Sequence, residues 1–280
     1  LLLTLALLPS VNAAASGVDA PAFYRAVLAR MHELKEPEFL TYRTSVSGGD
    51  GALVLSRGDD GYAQIALVAG AAQPQSWDVA YRTQDGIASI ASANGPRMLS
   101  SLAIFDPTWQ GAYLWLRRGL NASVVAPTQE PVPSPEPSGS APPVLAIVTA
   151  INETSYTAAD GGEATCPGGS SARRLWLHAR SDPLAHPLTE AVVDKASLRF
   201  CTMRFHEHLA SPSVTFDLDV ELHFADAGVY YLMQGGTIDG AVRPYRRPGW
   251  FRFSTAFTYD QFAFPKSLPE RTFTVATPSP

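Results

Sequence analysis

His206-Glu207-His208 is the first place in this chain where residue types and spacing point to chemistry. Residues two apart on a β-strand face the same side, so the two imidazoles would present a pair of nitrogen ligands. A metal centre needs further ligands from neighbouring strands. With residues 209–213 read as a hairpin loop, His206 falls near Phe216 and His208 near Val214. Asp217 is then the nearer carboxylate, and His223 lies far up the ladder. That pairing supplies no third ligand directly, so the reading is an exposed strand end and no metal. Asp217, Asp219 and Glu221 form an acidic stripe, but calcium needs six or more oxygens from converging loops. The stripe reads as a solvated outer face. His178 and His186 flank Asp182-Pro183, yet no G-x-S-x-G supplies a nucleophile and neither cysteine sits in a catalytic signature. Gly48-Gly49-Asp50-Gly51 and Gly161-Gly162 lack the Lys-Ser/Thr of a phosphate loop and read as turns.

Two further groupings point to binding rather than catalysis. Arg243, Arg246 and Arg247, with Tyr245 and Trp250, make the densest basic-aromatic cluster. Such a cluster can receive an anionic head group, or it is a solvated loop shaped by Pro244 and Pro248. The second grouping is apolar. Residues 214–224 alternate strictly, with Val214, Phe216, Leu218, Val220, Leu222 and Phe224 on one face. Strict alternation means one buried face and one wet face. In residues 249–262, Phe251, Phe253, Phe257 and Tyr259 share a face in the same way.

The elements that must position these residues are mostly strands. Strand patterns cover residues 38–47, 52–57, 62–69, 76–83 and 87–92 in the first half. In the second half they cover 144–150, 152–158, 174–180, 191–194, 198–207, 214–224, 230–234 and 249–262. The separators in the first half are turn residues, so consecutive strands there are expected to be antiparallel neighbours. A helix starts at Asp19-Ala20-Pro21, with Asp19 as cap and Pro21 in the first turn. Phe23, Ala26, Val27, Met31 and Leu34 recur on one side of it, and Pro37 lies just past its end. A second helix is expected over residues 107–119, capped by Asp106 and ended by Gly119. Trp109, Tyr113, Trp115 and Leu116 make it apolar on more than one side.

The expected architecture is mainly β: one large curved antiparallel sheet, a half-barrel, with two covering helices. Residues 18–126 and 144–275 form its two parts, and residues 127–143 form a Pro-rich flexible insertion. Two helices of three to four turns are too small to cover a sheet of about ten strands. The uncovered apolar face is therefore a candidate cavity wall. Its candidate lining is Phe216, Leu218, Val220, Phe251, Phe253 and Phe257. Trp109, Tyr113 and Leu116 form its cover, and Arg243, Arg246 and Arg247 are candidate head-group contacts.

Composition bounds the partners. Twenty-six acidic against 21 basic residues leave a net charge of −5, which argues against nucleic acid. Residues 1–15 read as a secretory signal peptide, truncated at its start, with small residues at its cleavage site. That predicts a periplasmic or secreted protein with no membrane span in the mature chain. Cys166 and Cys201 fit that compartment as one disulfide.

The order of amphipathic helix, strands, short aromatic helix and strands resembles the LolA/LolB-like fold of periplasmic lipoprotein carriers. Their relatives include LppX/LprG-type lipid binders and the sensor domain of RseB-type regulators. The stretches that carry the resemblance are Phe39-Leu40-Thr41-Tyr42, residues 174–194 with their proline loop, and Asp260 to Pro265. It implies a non-enzymatic protein that binds, and carries, a lipid or acylated ligand without a cofactor. A sensor or interaction module of an envelope regulator, contacting an envelope protein partner, is the second reading. A metal-dependent hydrolase built on His206 and His208 is the third.

Overall fold

The computed structural model describes residues 19–48, 50–57, 63–71, 75–84, 87–92, 107–108, 154–181, 183, 186–210, 214–244 and 249–273. Helix α1, Ala20–His32, begins where Asp19 accepts a hydrogen bond from the Ala22 amide at 3.2 Å. Pro21 sits in its first turn, where a missing N–H costs nothing. Its buried side is Ala20, Tyr24, Val27, Leu28 and Met31. The expected side was rotated by part of a turn: Ala26 is exposed, while Tyr24 and Leu28 are buried. The bulkier side chains win the core because they remove more apolar area from water.

Twelve strands follow: β1 (Phe39–Gly48), β2 (Asp50–Arg57), β3 (Ala63–Ala71), β4 (Gln75–Gln84), β5 (Ile87–Ser92), β6 (Tyr156–Thr165), β7 (Ser171–Ala179), β8 (Leu188–Asp194), β9 (Arg199–Ala210), β10 (Val214–Ala227), β11 (Tyr230–Pro244) and β12 (Phe251–Ala263). Ten of them form one antiparallel sheet in the order β5-β4-β1-β12-β11-β10-β9-β8-β7-β6. The sheet is open, ending at β5 and β6. The architecture is thus mainly β around one large sheet, as expected. Among the described residues it carries one α-helix, and a 3-10 turn follows at Glu270–Thr272. The expected second helix lies outside the described residues, apart from Pro107 and Thr108, which are buried and not helical. The expected signal peptide and Pro-rich insertion also lie outside them.

Three expectations need correction. First, β2 is not the sheet neighbour of β1, nor β3 of β4. Among the described residues β2 and β3 pair only with each other, because both edges of β1 are occupied, one by β4 and the other by β12. Second, Gly161-Gly162 is not a turn. Both lie inside β6, where the register against β7 shifts between Asp160 and Gly162 and Gly162 takes φ +87°. This is a β-bulge, and the strand runs on beyond the expected 152–158. Third, β11 does not end at Gln234. It passes through Gly235-Gly236 and runs to Pro244, 15 residues in all.

The glycines of β11 explain why it reads as two pieces. A Cβ on Gly236 would lie 2.1 Å from the Glu221 carbonyl oxygen and 2.9 Å from the Phe257 ring. A Cβ on Gly240 would lie 2.5 Å from Leu218 Cδ2 and 3.0 Å from the Phe253 ring. Glycine inside a strand marks such close approach rather than a turn. The two rings occupy the space that side chains of β11 would otherwise fill.

The main core is one cluster. It joins α1 to residues of β1, β4, β6–β12, including Leu40, Tyr81, Leu175, Phe205, Leu222 and Phe257. A second, smaller cluster of Cys166, Ala172, Val192 and Cys201 stands apart from it. Cys166 and Cys201 are disulfide-bonded. Cys201 is the extra residue of a bulge, since Val192 pairs with Thr202 and Val193 with Phe200. The bulge turns its sulfur away from the helix side, towards Val192 and Ala172.

Candidate functional site

Antiparallel partners share a face, so the ladders through β9, β10, β11 and β12 arrange the helix-bearing face in rows. The first row is Met203, Leu222, Gly236 and Phe257; the second is Phe205, Val220, Ile238 and Thr255. The third is Glu207, Leu218, Gly240 and Phe253, and the fourth is Leu209, Phe216, Val242 and Phe251. All six apolar residues expected on β10 and β12 therefore lie on one face. Leu218, Val220, Phe253 and Phe257 are buried, Phe216 is half-buried and Phe251 is 39% exposed. Burial thus falls off along the strands, and the fourth row is a rim. Trp109, Tyr113 and Leu116 lie outside the described residues.

Arg243 follows Val242 at this rim, and its guanidinium lies 5.3 Å from the centre of the exposed Trp250 ring. That is within cation–π range. Arg246, Arg247 and Tyr245 lie outside the described residues.

The opposite face is polar and paired. The turn between β9 and β10 is tighter than expected: Ala210 pairs with Thr215, so His208 faces Asp217 and His206 faces Asp219. His206 Nδ1 lies 2.9 Å from Asp219 and its Nε2 lies 3.1 Å from Asp217. His208 is 3.9 Å from Asp217. Arg204 pairs with Glu221 beside them. The acidic stripe is therefore matched by the basic residues of β9. His223 lies opposite Thr202, and its Nε2 is 3.3 Å from Glu221. Among the described residues, no three His, Cys, Asp or Glu side chains are placed to hold a metal ion. A groove of about 420 Å³ opens on this face beside Asp217, Asp219, Asp239 and Arg252. Its charged lining suits water better than an acyl chain.

Glu207 escaped the sequence reading as a site residue. It sits between two histidines but belongs to the other face, opposite Leu218. It is 5% exposed, and its Oε2 has no hydrogen-bond partner. Burial pushes its carboxyl up to about 7, offset slightly by the neighbouring His206. The signal was its parity: Met203, Phe205, Glu207 and Leu209 alternate, which puts a carboxylate in an apolar series. Ile238 and Val242 were missed because β11 was cut at its glycines.

No family model matches this chain. No curated protein matches it either. Among solved structures, it is similar to a protein domain assigned to outer membrane lipoprotein sorting from Vibrio parahaemolyticus, at 11% identity and TM-score 0.40, over 91% of this chain and 95% of that one. A DUF1329 family protein from Desulfovibrio piger gives 11% identity and TM-score 0.39, over 91% and 98%. A LolA superfamily protein from Nitrosomonas europaea gives 8% identity and TM-score 0.34, over 91% and 98%. The LolA-like fold expected from the sequence is thus among these similar structures.

Proposed function

We propose that this chain binds an acyl-chain-bearing lipid on the helix-bearing face of its sheet, without catalysing a reaction on it, and that it works in the periplasm or outside the cell. The supporting observation is the run of apolar rows from Phe257 and Leu222 up to the rim at Phe216, Val242 and Phe251. Ten strands about 4.8 Å apart span some 43 Å, against a helix 10–12 Å wide. A dozen buried CH₂ groups would contribute roughly 10 kcal/mol, less the cost of ordering the chain. Arg243, one residue past Val242 and opposite Thr215, lies on the polar side of the rim, and there it would meet a head group lying across the strand ends. No helix among the described residues is long and apolar enough to cross a membrane.

Docking of an envelope protein is the second reading. It rests on Trp250, 46% exposed, beside Phe251 at the same end. The test is native mass spectrometry of detergent-free protein, followed by organic extraction and titration with a fluorescent fatty acid. A bound acyl species, displaced by the probe, is the expected result. A folded protein that arrives empty and takes up no probe sinks the lipid reading and leaves the docking one. Phe251→Glu at the exposed rim should weaken probe uptake at least fivefold without lowering the melting temperature.

A further inference from the structure

We infer that the ligand of this face carries a hydrogen-bond donor (a hydroxyl, amide N–H or ammonium group) received by Glu207 one row inside the rim. The inference deepens the lipid reading above and rests on it.

Buried carboxylates in folded proteins are nearly always satisfied, because an unmet one costs more than its hydrogen bond returns. The other buried acid among the described residues is at least paired with opposite charge. Glu190 lies on the opposite face, with Arg174 Nε 2.9 Å from its Oε1 and Arg204 3.5 Å from its Oε2. The Arg174 contact is an ion pair out of hydrogen-bond alignment, so Oε1 gains charge pairing rather than a bond. Glu207 has neither kind of partner. Leu218 faces it from β10, and Gly240 and Phe253 continue the row on β11 and β12. Phe205 flanks it in the same series of β9, and Leu188 of β8 faces Phe205. None of these residues titrates. The titratable side chains of β9 and β10 nearby, His206, His208 and Asp217, belong to the other face, whereas His186, beside Pro187 whose carbonyl accepts from the His206 amide, packs against Tyr156 on the helix-bearing face.

Position adds to the case. Glu207 is two residues from the rim row, a depth of about 7 Å along an antiparallel strand. A chain threading from the rim past Phe216 and Phe251 reaches this carboxyl before the row of Val220, where Thr255 is the one polar side chain, and the apolar row of Leu222. The first polar group behind a head group would come to rest beside it. A donor there would satisfy Oε2, and an ammonium would also hold the carboxyl ionised. An ester offers no donor and gains neither.

The experiment uses the full chain and three probes of equal chain length, each below its micelle concentration: a primary alkyl amide, an alkyl amine and a fatty-acid methyl ester. Wild type is expected to bind the amide and the amine at least tenfold more tightly than the ester. Glu207→Gln should keep the amide preference and lose that for the amine. Glu207→Leu should bind all three alike. Both variants remove a buried, unpaired carboxyl, so melting temperatures at or above wild type show that they fold. A wild type that binds the ester but does not discriminate overturns this inference and leaves the apolar site standing. So does a Glu207→Leu protein that loses ester and amide affinity equally. A folded wild type that binds none of the three overturns both readings.

Discussion

Along β6–β8 and the start of β9 nearly every charge has a partner, whereas from the end of β9 to β12 the helix-bearing face carries a buried carboxyl with none. The first end holds Arg173 against Asp160 and Glu163, Lys195 against Glu163, and Arg199 against Asp226 at 2.7 Å. It also holds the disulfide, and α1 packs beside β6 and β9. The second runs from Glu207, near the end of β9, to the glycines of β11 with Phe253 and Phe257 laid across them, and to an exposed rim. One end is fastened by directional and covalent contacts. The other is shaped by close backbone approach and leaves a polar atom unmet. Binding sites are drawn from regions of the second kind, where stability is lower and a ligand has something to add.

Four experiments break or sharpen this contrast. Gly236→Ala strikes the glycine end hardest. Its Cβ would sit 2.1 Å from a backbone oxygen, so β10 and β11 must part. A loss of about 4 kcal/mol or more in urea unfolding is expected. A loss under 1 kcal/mol would show that the two strands are not tightly apposed. At the fastened end, replacing both cysteines by serine reopens a loop of 35 residues. About 3–4 kcal/mol should be lost, read as a lower denaturation midpoint.

The third experiment concerns Glu207 and pH. Its folded-state pKa of about 7 lies above its ordinary 4.5, so the native state holds this proton more tightly than the unfolded chain. Its contribution is therefore neutral to stability below about pH 4.5 and increasingly unfavourable as pH rises through 7. Roughly 3 kcal/mol should be lost across that window. Asp160, Asp194 and Glu270 have carboxyls held below the usual range by Arg173, Ser170 and Arg82 respectively, so their losses fall at lower pH. Unfolding free energies of wild type and Glu207→Gln at pH 5 and pH 8 should diverge only at the higher value. Parallel curves would mean that Glu207 is solvated. The smallest effect is the control: Arg43→Ala, removing an exposed pair with Asp78, should change stability by less than about 0.5 kcal/mol.

Much of this contrast was readable in the chain, and unevenly so. Strict alternation in β10 fixed its buried face, because a one-residue slip would bury Asp217, Asp219 and Glu221. The proline loop between β7 and β8 followed from the family resemblance, and the pairing of Cys166 with Cys201 from there being two cysteines and an exported compartment. What failed was long-range. Gly235-Gly236 and Gly161-Gly162 have turn composition, and only a neighbouring strand reveals them as a close approach and a bulge. The β9–β10 register shifted because the loop is shorter than composition suggested, and this brought His206 to Asp219 rather than to Phe216. Which strand fills the second edge of β1 depends on β12, more than 200 residues later, and no local signal carries that. Glu207 was visible as a residue out of place in its series, but the two histidines beside it drew the chemistry to the wrong face.

The disulfide has a mechanical consequence. It joins the turn after β6 to β9 across two intervening strands, so the 35 residues it encloses form a closed ring of chain. Under tension applied at the two termini, that ring transmits force through its sulfurs and does not lengthen. About 120 Å of contour is thereby withheld from extension until the bond is reduced. Force-driven unravelling in an oxidising medium should therefore stop short by that length, with the β7–β8 segment shielded from load while β10 to β12 peel away.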